Sequence, residues 1–383
     1  MHFHFENALM DDSVSGVRAN EEQAKFTFAA CSECSVSKLV CSRPAFTHSS
    51  TTGQEAAPPA AQPAPLSFSP DSPWLAPLAG YSDLAFRLLC REYGASVCCT
   101  EMISARGLLH NNPGTRELLR TTPEDAPLVV QLFADEAESV SRAMHKLLEA
   151  GFVYFDLNMG CAVPKVTRSG CGAAMLKNLP NALKTARAMI ALAAPGCVGF
   201  KMRLGWDAEN PVWEQLAPAL ADSGAGWLSL HPRTARQGFG GTADWSVFAR
   251  LAPRLSIPLV ASGDLLCAAD GLRCLREFGP SCVMYARGAL RNPAIFAEHR
   301  SLLANAAPRA LTAKELRACI ERHAALARAC GRRGERGALL QMRSIVPRYV
   351  HHLPGVRHLR QSLCQCGDWT EFTRLLDDFF GAF

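Results

Sequence analysis

Two hydrophobic periods alternate along this chain. Short apolar runs recur at Leu75–Ala79, Val97–Glu101, Leu128–Leu132, Val153–Leu157, Val198–Met202, Trp227–His231, Pro258–Ser262 and Cys282–Ala286. Each is bounded by Gly, Pro or polar residues, which marks a short buried strand. Between them lie segments with the 3.6-residue helical period: Asp83–Tyr93, Glu136–Ala150, Leu179–Ala193, Val212–Ser223, Trp245–Ala252, Ala268–Phe278 and Pro293–Asn305. Eight strand–helix units in about 230 residues predict an α/β fold, a (β/α)8 TIM barrel. An open doubly wound sheet is the competitor. The absence of a Gly-x-Gly-x-x-Gly turn after the first strand disfavours it.

The pattern changes on either side of residues 74–306. Strand-like runs stop after Asn305, and helical periods follow over Ala310–Cys330, Ala338–Val350 and Asp368–Phe379, with Thr312 as the expected N-cap of the first. Residues 307–383 are therefore expected to form a small all-helical C-terminal domain. Before Trp74, residues 44–73 hold seven Pro among Ala, Ser, Thr and Gln. Such a composition builds no core, so residues 1–73 are expected to be a disordered N-terminal extension and linker.

Charge sharpens this division. The net charge is only +5, but residues 308–363 carry twelve Arg or Lys against three Glu, which is +9 in one segment. A basic block beside a near-neutral body predicts a polyanion-binding surface. Nothing approaches an uninterrupted apolar run long enough to span a bilayer, and the N-terminus has no basic segment leading into an apolar core. No membrane association and a cytoplasmic location are expected. The sixteen Cys are scattered and mostly inside apolar runs, as reduced buried thiols would be. Cys31 and Cys34, with Cys41 beyond, lack the further ligands of a zinc site, so no metal is expected.

In a barrel, chemistry gathers at the C-terminal ends of the strands. Seven of the eight expected strands end in polar or ionisable groups: Glu101 and Met102, Gln131, Asn158 with Cys161 just beyond, Lys201 and Arg203, His231 and Arg233, Ser262-Gly263-Asp264, and Arg287-Gly288. The seventh and eighth strands end in glycine-containing turns suited to phosphate, with Arg287 as a charged fork. With no dinucleotide fingerprint, the bound phosphate is expected to belong to a mononucleotide. An amide (Gln131) and a cation (Lys201) facing the centre suit flavin mononucleotide, FMN.

The segments Leu75-Ala-Pro-Leu-Ala-Gly-Tyr-Ser-Asp83, Asp156-Leu-Asn-Met-Gly-Cys161 with Lys165-Val166, Lys201-Met-Arg-Leu-Gly-Trp206, His231-Pro-Arg-Thr234, Ser262-Gly-Asp264 and Ala286-Arg-Gly288 resemble those of the tRNA-dihydrouridine synthases. These are flavoproteins that reduce uracil bases in tRNA. The resemblance covers Trp74 to His299, and the basic helical tail is similar in kind to the family's tRNA-binding domain. It implies an FMN site at Pro77, Leu78, Ala79, Gln131, Lys201, His231, Ser262, Gly263, Asp264, Ala286 and Arg287. It implies Cys161 as proton donor, and contacts to a flipped-out uracil from Asn158, Lys201, Arg203 and His231. NADPH or NADH would be the reductant and tRNA the partner, with no obligatory protein partner.

Three positions depart from the family's usual pattern: Ala162 follows the Cys, with Pro at 164; Ser262 stands in place of Asn; and Pro232 in place of Gly. The alternatives are an FMN barrel acting on a small molecule, such as a dihydroorotate dehydrogenase-like enzyme or ene-reductase, and a tRNA-binding relative without catalysis.

Overall fold

The computed structural model describes residues 65–307, 309–331 and 334–383. The cluster Cys31, Cys34 and Cys41 and most of the expected N-terminal extension lie outside the described residues. Nine parallel strands form one sheet: β1 (Trp74–Leu75), β2 (Val97–Cys99), β3 (Ile103–Ser104), β4 (Leu128–Phe133), β5 (Tyr154–Met159), β6 (Val198–Arg203), β7 (Trp227–His231), β8 (Leu259–Ala261) and β9 (Cys282–Tyr285). β1 pairs with both β2 and β9, and β2 pairs with β4, so the sheet closes on itself.

Sequence expectation and structure differ over the second strand. β2 and β3 both pair with β4, as Cys99↔Val129 and Ile103↔Leu132. Four residues on one side span three on the other, which is a bulge of one residue. The two short strands are thus a single stave, and the barrel has eight. Thr100 fills the break: its hydroxyl accepts from Gln131 N–H and donates to Glu101 O. The bulge carries Glu101 and Met102 to the mouth, and Glu101 then accepts from Gly80 N–H at 2.5 Å. β1 is also shorter than its apolar run, because Pro77 and Leu78 leave the sheet to begin a turn held by Ser82 Oγ, which accepts from Leu78 N–H.

Strand alternation sorts the core into two layers. Trp74, Val97, Cys99, Val129, Tyr154, Trp227, Val260, Cys282 and Met284 point inward and fill the barrel, and their neighbours in sequence point outward against the helices. Gly199 is required by the inner packing: a Cβ there would lie 1.9 Å from the Trp227 ring.

The expectation that order begins near Trp74 is corrected at the barrel's base. Residues 65–73 are part of the fold. Leu66 is buried, Phe68 packs on Trp74 and Trp227 at 5.2 and 6.0 Å, and Trp74 Nε1 donates to Ser67 O. His299 Nε2 lies 2.7 Å from Pro70 O. A Pro-rich segment can be ordered when its few apolar side chains plug an aromatic floor, which composition alone does not reveal.

Four helices, rather than the three expected, follow the barrel: Ala313–Cys330, Gly334–Tyr349, Val356–Gln365 and Trp369–Phe380. Thr312 caps the first as expected, in a reciprocal box with Glu315. These helices share one continuous apolar core with the barrel's outer layer. The junction lies on the first barrel helix, Leu84–Glu92. Arg322 forks onto Glu92, Phe86 stacks on His323 at 5.6 Å, Gln341 donates to Asp83, and Arg348 donates to the Tyr81 hydroxyl at 2.8 Å.

Candidate active site

Polar side chains stand at inward positions toward the C-terminal end of each of β4–β7, and Ser262 stands just past β8. Gln131 on β4 and Asp156 on β5 are buried side by side, and Gln131 Nε2 donates to Asp156 Oδ1 at 2.7 Å. Two residues further along β5, Asn158 Nδ2 donates to Gln131 Oε1 at 2.8 Å. Asn158 Oδ1 then accepts from the N–H groups of Gly160 (3.1 Å) and Cys161 (2.9 Å). Cys161 is therefore held by its own backbone. Its carbonyl also accepts from Ala173 N–H at 2.9 Å. That closure needs Gly172, whose φ is +61° and whose Cβ, if present, would sit 2.6 Å from Cys161 O. Burial pushes the Cys161 thiol up, against weaker lowering by Val163 N–H and Arg203. It thus stays a protonated acid at neutral pH. All thirteen cysteines among the described residues are free thiols; ten are buried, Cys267 and Cys364 are exposed, and Cys161 alone is partly exposed.

On β6, Lys201 Nζ lies 3.4 Å from Ser262 Oγ of the neighbouring region of the rim, and Asp156 faces it from β5. Burial pulls Lys201 down and raises Asp156, and the opposite charges counter both effects. Arg203 is nearly enclosed. It donates to three carbonyls, Gly160 O at 2.8 Å, Thr234 O at 2.8 Å and Gly238 O at 2.7 Å, and so ties the Cys161 loop to the loop after β7. Within Arg203, Nε and Nη1 make these bonds, and Nη2 has no bonded partner among the described residues. Burial lowers Arg203 to about 10, so it remains charged.

The far side of the mouth is an ion-pair network. Arg233 donates to both oxygens of Asp264 at 2.7 and 2.6 Å, and Arg287 donates to Oδ1 at 2.8 Å. Asp264 also accepts from Ala243 N–H. Arg233 Nη1 lies 3.3 Å from His231 Nε2, and because a guanidinium only donates, that nitrogen is the acceptor. Burial, followed by the charges of Arg203, Lys201, Arg233 and Arg287, holds His231 well below its ordinary value, so the ring is neutral. Phe239 stands exposed at the rim, 4.8 Å from the Arg287 guanidinium and 5.6 Å from that of Arg203.

Most residues singled out in the sequence converge on this mouth. Gln131, Asn158, Cys161, Lys201, Arg203, His231, Ser262, Gly263, Asp264 and Arg287 are linked there, and Pro77, Leu78 and Ala79 begin the adjoining turn. The sequence reading passed over three contributors. Asp156 is the central acceptor, and its place two residues before Asn158 on the same strand face was the available signal. Thr100 has no signal short of the bulge. Phe239 lies in a loop whose position only the Arg203 contacts fix.

The residues present fit a flavin mononucleotide. Gly263 and Asp264 have successive positive φ values, 105° and 53°, and no acceptor among the described residues is bonded to either N–H. Such outward N–H groups beside Arg287 suit a phosphate. The turn at Pro77–Ala79 offers an apolar wall, while Gln131 and Lys201 offer an amide and a cation for a polar ring edge.

A closed parallel barrel with a protonated thiol, two amides and a cation gathered at the C-terminal mouth defines a (β/α)8 barrel enzyme. The family profile "Dihydrouridine synthase (Dus)" matches residues 74–383, and the chain belongs to this family. Dihydrouridine synthesis, the family's function, is this chain's. It is 34% identical to "Probable tRNA-dihydrouridine synthase 1" of Synechocystis sp. over 79% of this chain and 84% of that protein. It is 32% identical to "tRNA-dihydrouridine synthase B" of Shewanella oneidensis over 58% of this chain and 69% of that one. Among solved structures, the old yellow enzyme homologue from Zymomonas mobilis aligns with TM-score 0.43 at 11% identity, over 62% of this chain and 89% of its own.

Proposed function

We propose that this protein reduces uridines of tRNA to dihydrouridine, using FMN at the barrel mouth and NADPH or NADH as reductant. The observation that carries the reading is Cys161, a protonated thiol held through its backbone beside Lys201 and Arg203. FMN would lie across Pro77, Leu78, Ala79, Gln131, Lys201 and His231, with its phosphate toward Ser262, Gly263, Asp264, Ala286 and Arg287. When bound, FMN supplies hydride to C6 of the uracil.

The chain's own groups do the rest. Cys161 gives its proton to C5, from the face opposite the hydride, as a general acid within hydrogen-bond reach. The resulting thiolate is reprotonated from solvent. Lys201 and the unbonded Nη2 of Arg203 hold the uracil carbonyls and stabilise charge that develops on them. Asn158 and neutral His231 orient the base. Asp264 acts through Arg233 and Arg287, keeping both guanidinium groups aimed at the mouth. The base enters by extrusion from the tRNA stack, since a stacked base cannot reach the floor of a barrel mouth. The basic helical region would hold the tRNA phosphates.

The test is anaerobic reoxidation of the reduced, FMN-loaded protein, followed by the flavin spectrum. tRNA lacking dihydrouridine is expected to reoxidise it rapidly, and orotate or a simple enone to leave it reduced. Reoxidation by a small molecule with none by tRNA would overturn the proposal.

A further inference from the structure

We propose that Asp156 is a positioning residue of this site: its buried carboxylate anchors both the Lys201 ammonium and the chain of side-chain amides that ends on the backbone of Cys161. This inference rests on the reading of Lys201 and Cys161 as site groups.

The argument begins with donor and acceptor chemistry. An amide side chain can turn either way with little change in shape. Burial raises Asp156 to about 7, with Gln131 and Lys201 opposing the rise; above that pH it is an ionised carboxylate, which can only accept. Asp156 therefore fixes the direction of everything bonded to it. Gln131 must present Nε2 to Asp156, which leaves Oε1 to accept from Asn158 Nδ2, and Asn158 must then turn Oδ1 to the N–H groups of Gly160 and Cys161. Each link has a single consistent orientation, and the last one seats the thiol-bearing residue. With Gln131 fully buried, Asp156 2% exposed and Asn158 8% exposed, water cannot substitute at any link.

The second arm is electrostatic. Asp156 pairs across the sheet with Gly199, and Lys201 stands two residues further along the same inward face of β6, within diagonal reach. The other groups facing Lys201 are Arg203 from its own strand, Cys99 from β2 and neutral His231 from β7. Asp156 is the one carboxylate whose field reaches it among the described residues. Loss of that charge would leave the ammonium among cations and apolar walls, and it would release its proton at lower pH.

The experiment uses the full chain and two independent readouts. FMN binding to the flavin-free protein is followed by fluorescence quenching from about pH 6 to about pH 10, a range that spans a depressed lysine. Asp156→Asn keeps an oxygen that can accept from Gln131 but removes the charge. In it, the loss of affinity on the alkaline side is expected to begin at least about one pH unit lower than in the unaltered protein. Asp156→Glu restores the charge and is expected to return that limb to its original position, even if binding is weaker throughout. Uniform weakening with an unmoved limb in Asp156→Asn overturns the electrostatic arm, because mere packing damage scales all pH values alike.

Alkylation of Cys161 in the flavin-free protein, read by peptide mass spectrometry, tests the amide chain. Asp156→Ala withdraws the acceptor, and Cys161 is expected to alkylate several-fold faster. An unchanged rate overturns this arm. Neither readout depends on turnover with tRNA. A failure of tRNA to reoxidise the unaltered protein would therefore count against the proposed function, separately from Asp156.

Discussion

At the scale of single residues, the proposed mechanism turns on a thiol that is acidic in role and kept protonated. Cys161 sits just past a strand end, with its N–H, its C=O and its approach through Gly172 all fixed. Burial raises its pKa, so on the alkaline side it should go on donating a proton beyond the range of an ordinary thiol. Cys161→Ala is expected to leave flavin reduction by nicotinamide unchanged and to slow tRNA reduction by about 10²–10⁴-fold, the usual worth of a positioned general acid. Stopped-flow of the two half-reactions separates them, and normal tRNA reduction would exclude the acid role. Much of this site was legible because strand alternation is strict: a polar residue ending an apolar run in a barrel must face the mouth. Asp264 shows the limit of that reasoning. Its position was foreseen, but its carboxylate proved to be saturated by Arg233 and Ala243 N–H from the segment after β7 and by Arg287 from beyond β9, and such partners are not encoded near it.

At the scale of elements, the barrel was readable and its junctions were not. Runs such as Trp227–His231 were recovered with the same ends, because a strand buried on both faces is an apolar block with sharp borders. The Val356–Gln365 helix was missed because only Leu359 and Leu363 are buried on it, too few to establish a period against six surrounding polar or charged positions. The junction between barrel and helical region carries its own chemical signature. His323 is fully enclosed between Phe86 and Tyr349, bonded to the Tyr349 hydroxyl at 2.9 Å, and burial pulls it down to about 4. A histidine held neutral in the folded state adds stability that is present above its unfolded value near 6.5 and is lost as pH falls toward 4. The loss should be on the order of 3 kcal/mol over that window. Melting temperatures measured across it should fall less steeply in His323→Gln than in the unaltered protein. Equal slopes would show that His323 does not couple to folding.

At the scale of the whole molecule, the basic segment resolves into two populations. Arg309, Arg317, Arg322 and Arg328 are paired with carboxylates, and Arg343 and Arg348 are bonded to Cys364 O and the Tyr81 hydroxyl. Arg336, Arg357 and Arg360 are exposed and have no ion-pair partner among the described residues. Net charge along a sequence cannot make this distinction, since it depends on which helix faces meet. Replacing Arg357 and Arg360 together by Ala should weaken tRNA binding and flatten its dependence on log salt by about 0.9 per lost duplex phosphate contact. Filter binding at several ionic strengths measures the slope, and an unchanged slope would place the RNA elsewhere.

The helical region does not hang from a tether. Asp83 caps the first barrel helix with one carboxylate oxygen and receives Gln341 with the other, a few residues from the turn at Pro77–Ala79. Anchor and pocket are thereby two marks on a single rigid ruler. A nucleic acid gripped at one mark presents to the other whichever base its own shape brings to that distance. On the proposed reading, selection of the uridine would be a measurement of length and angle set by this spacing.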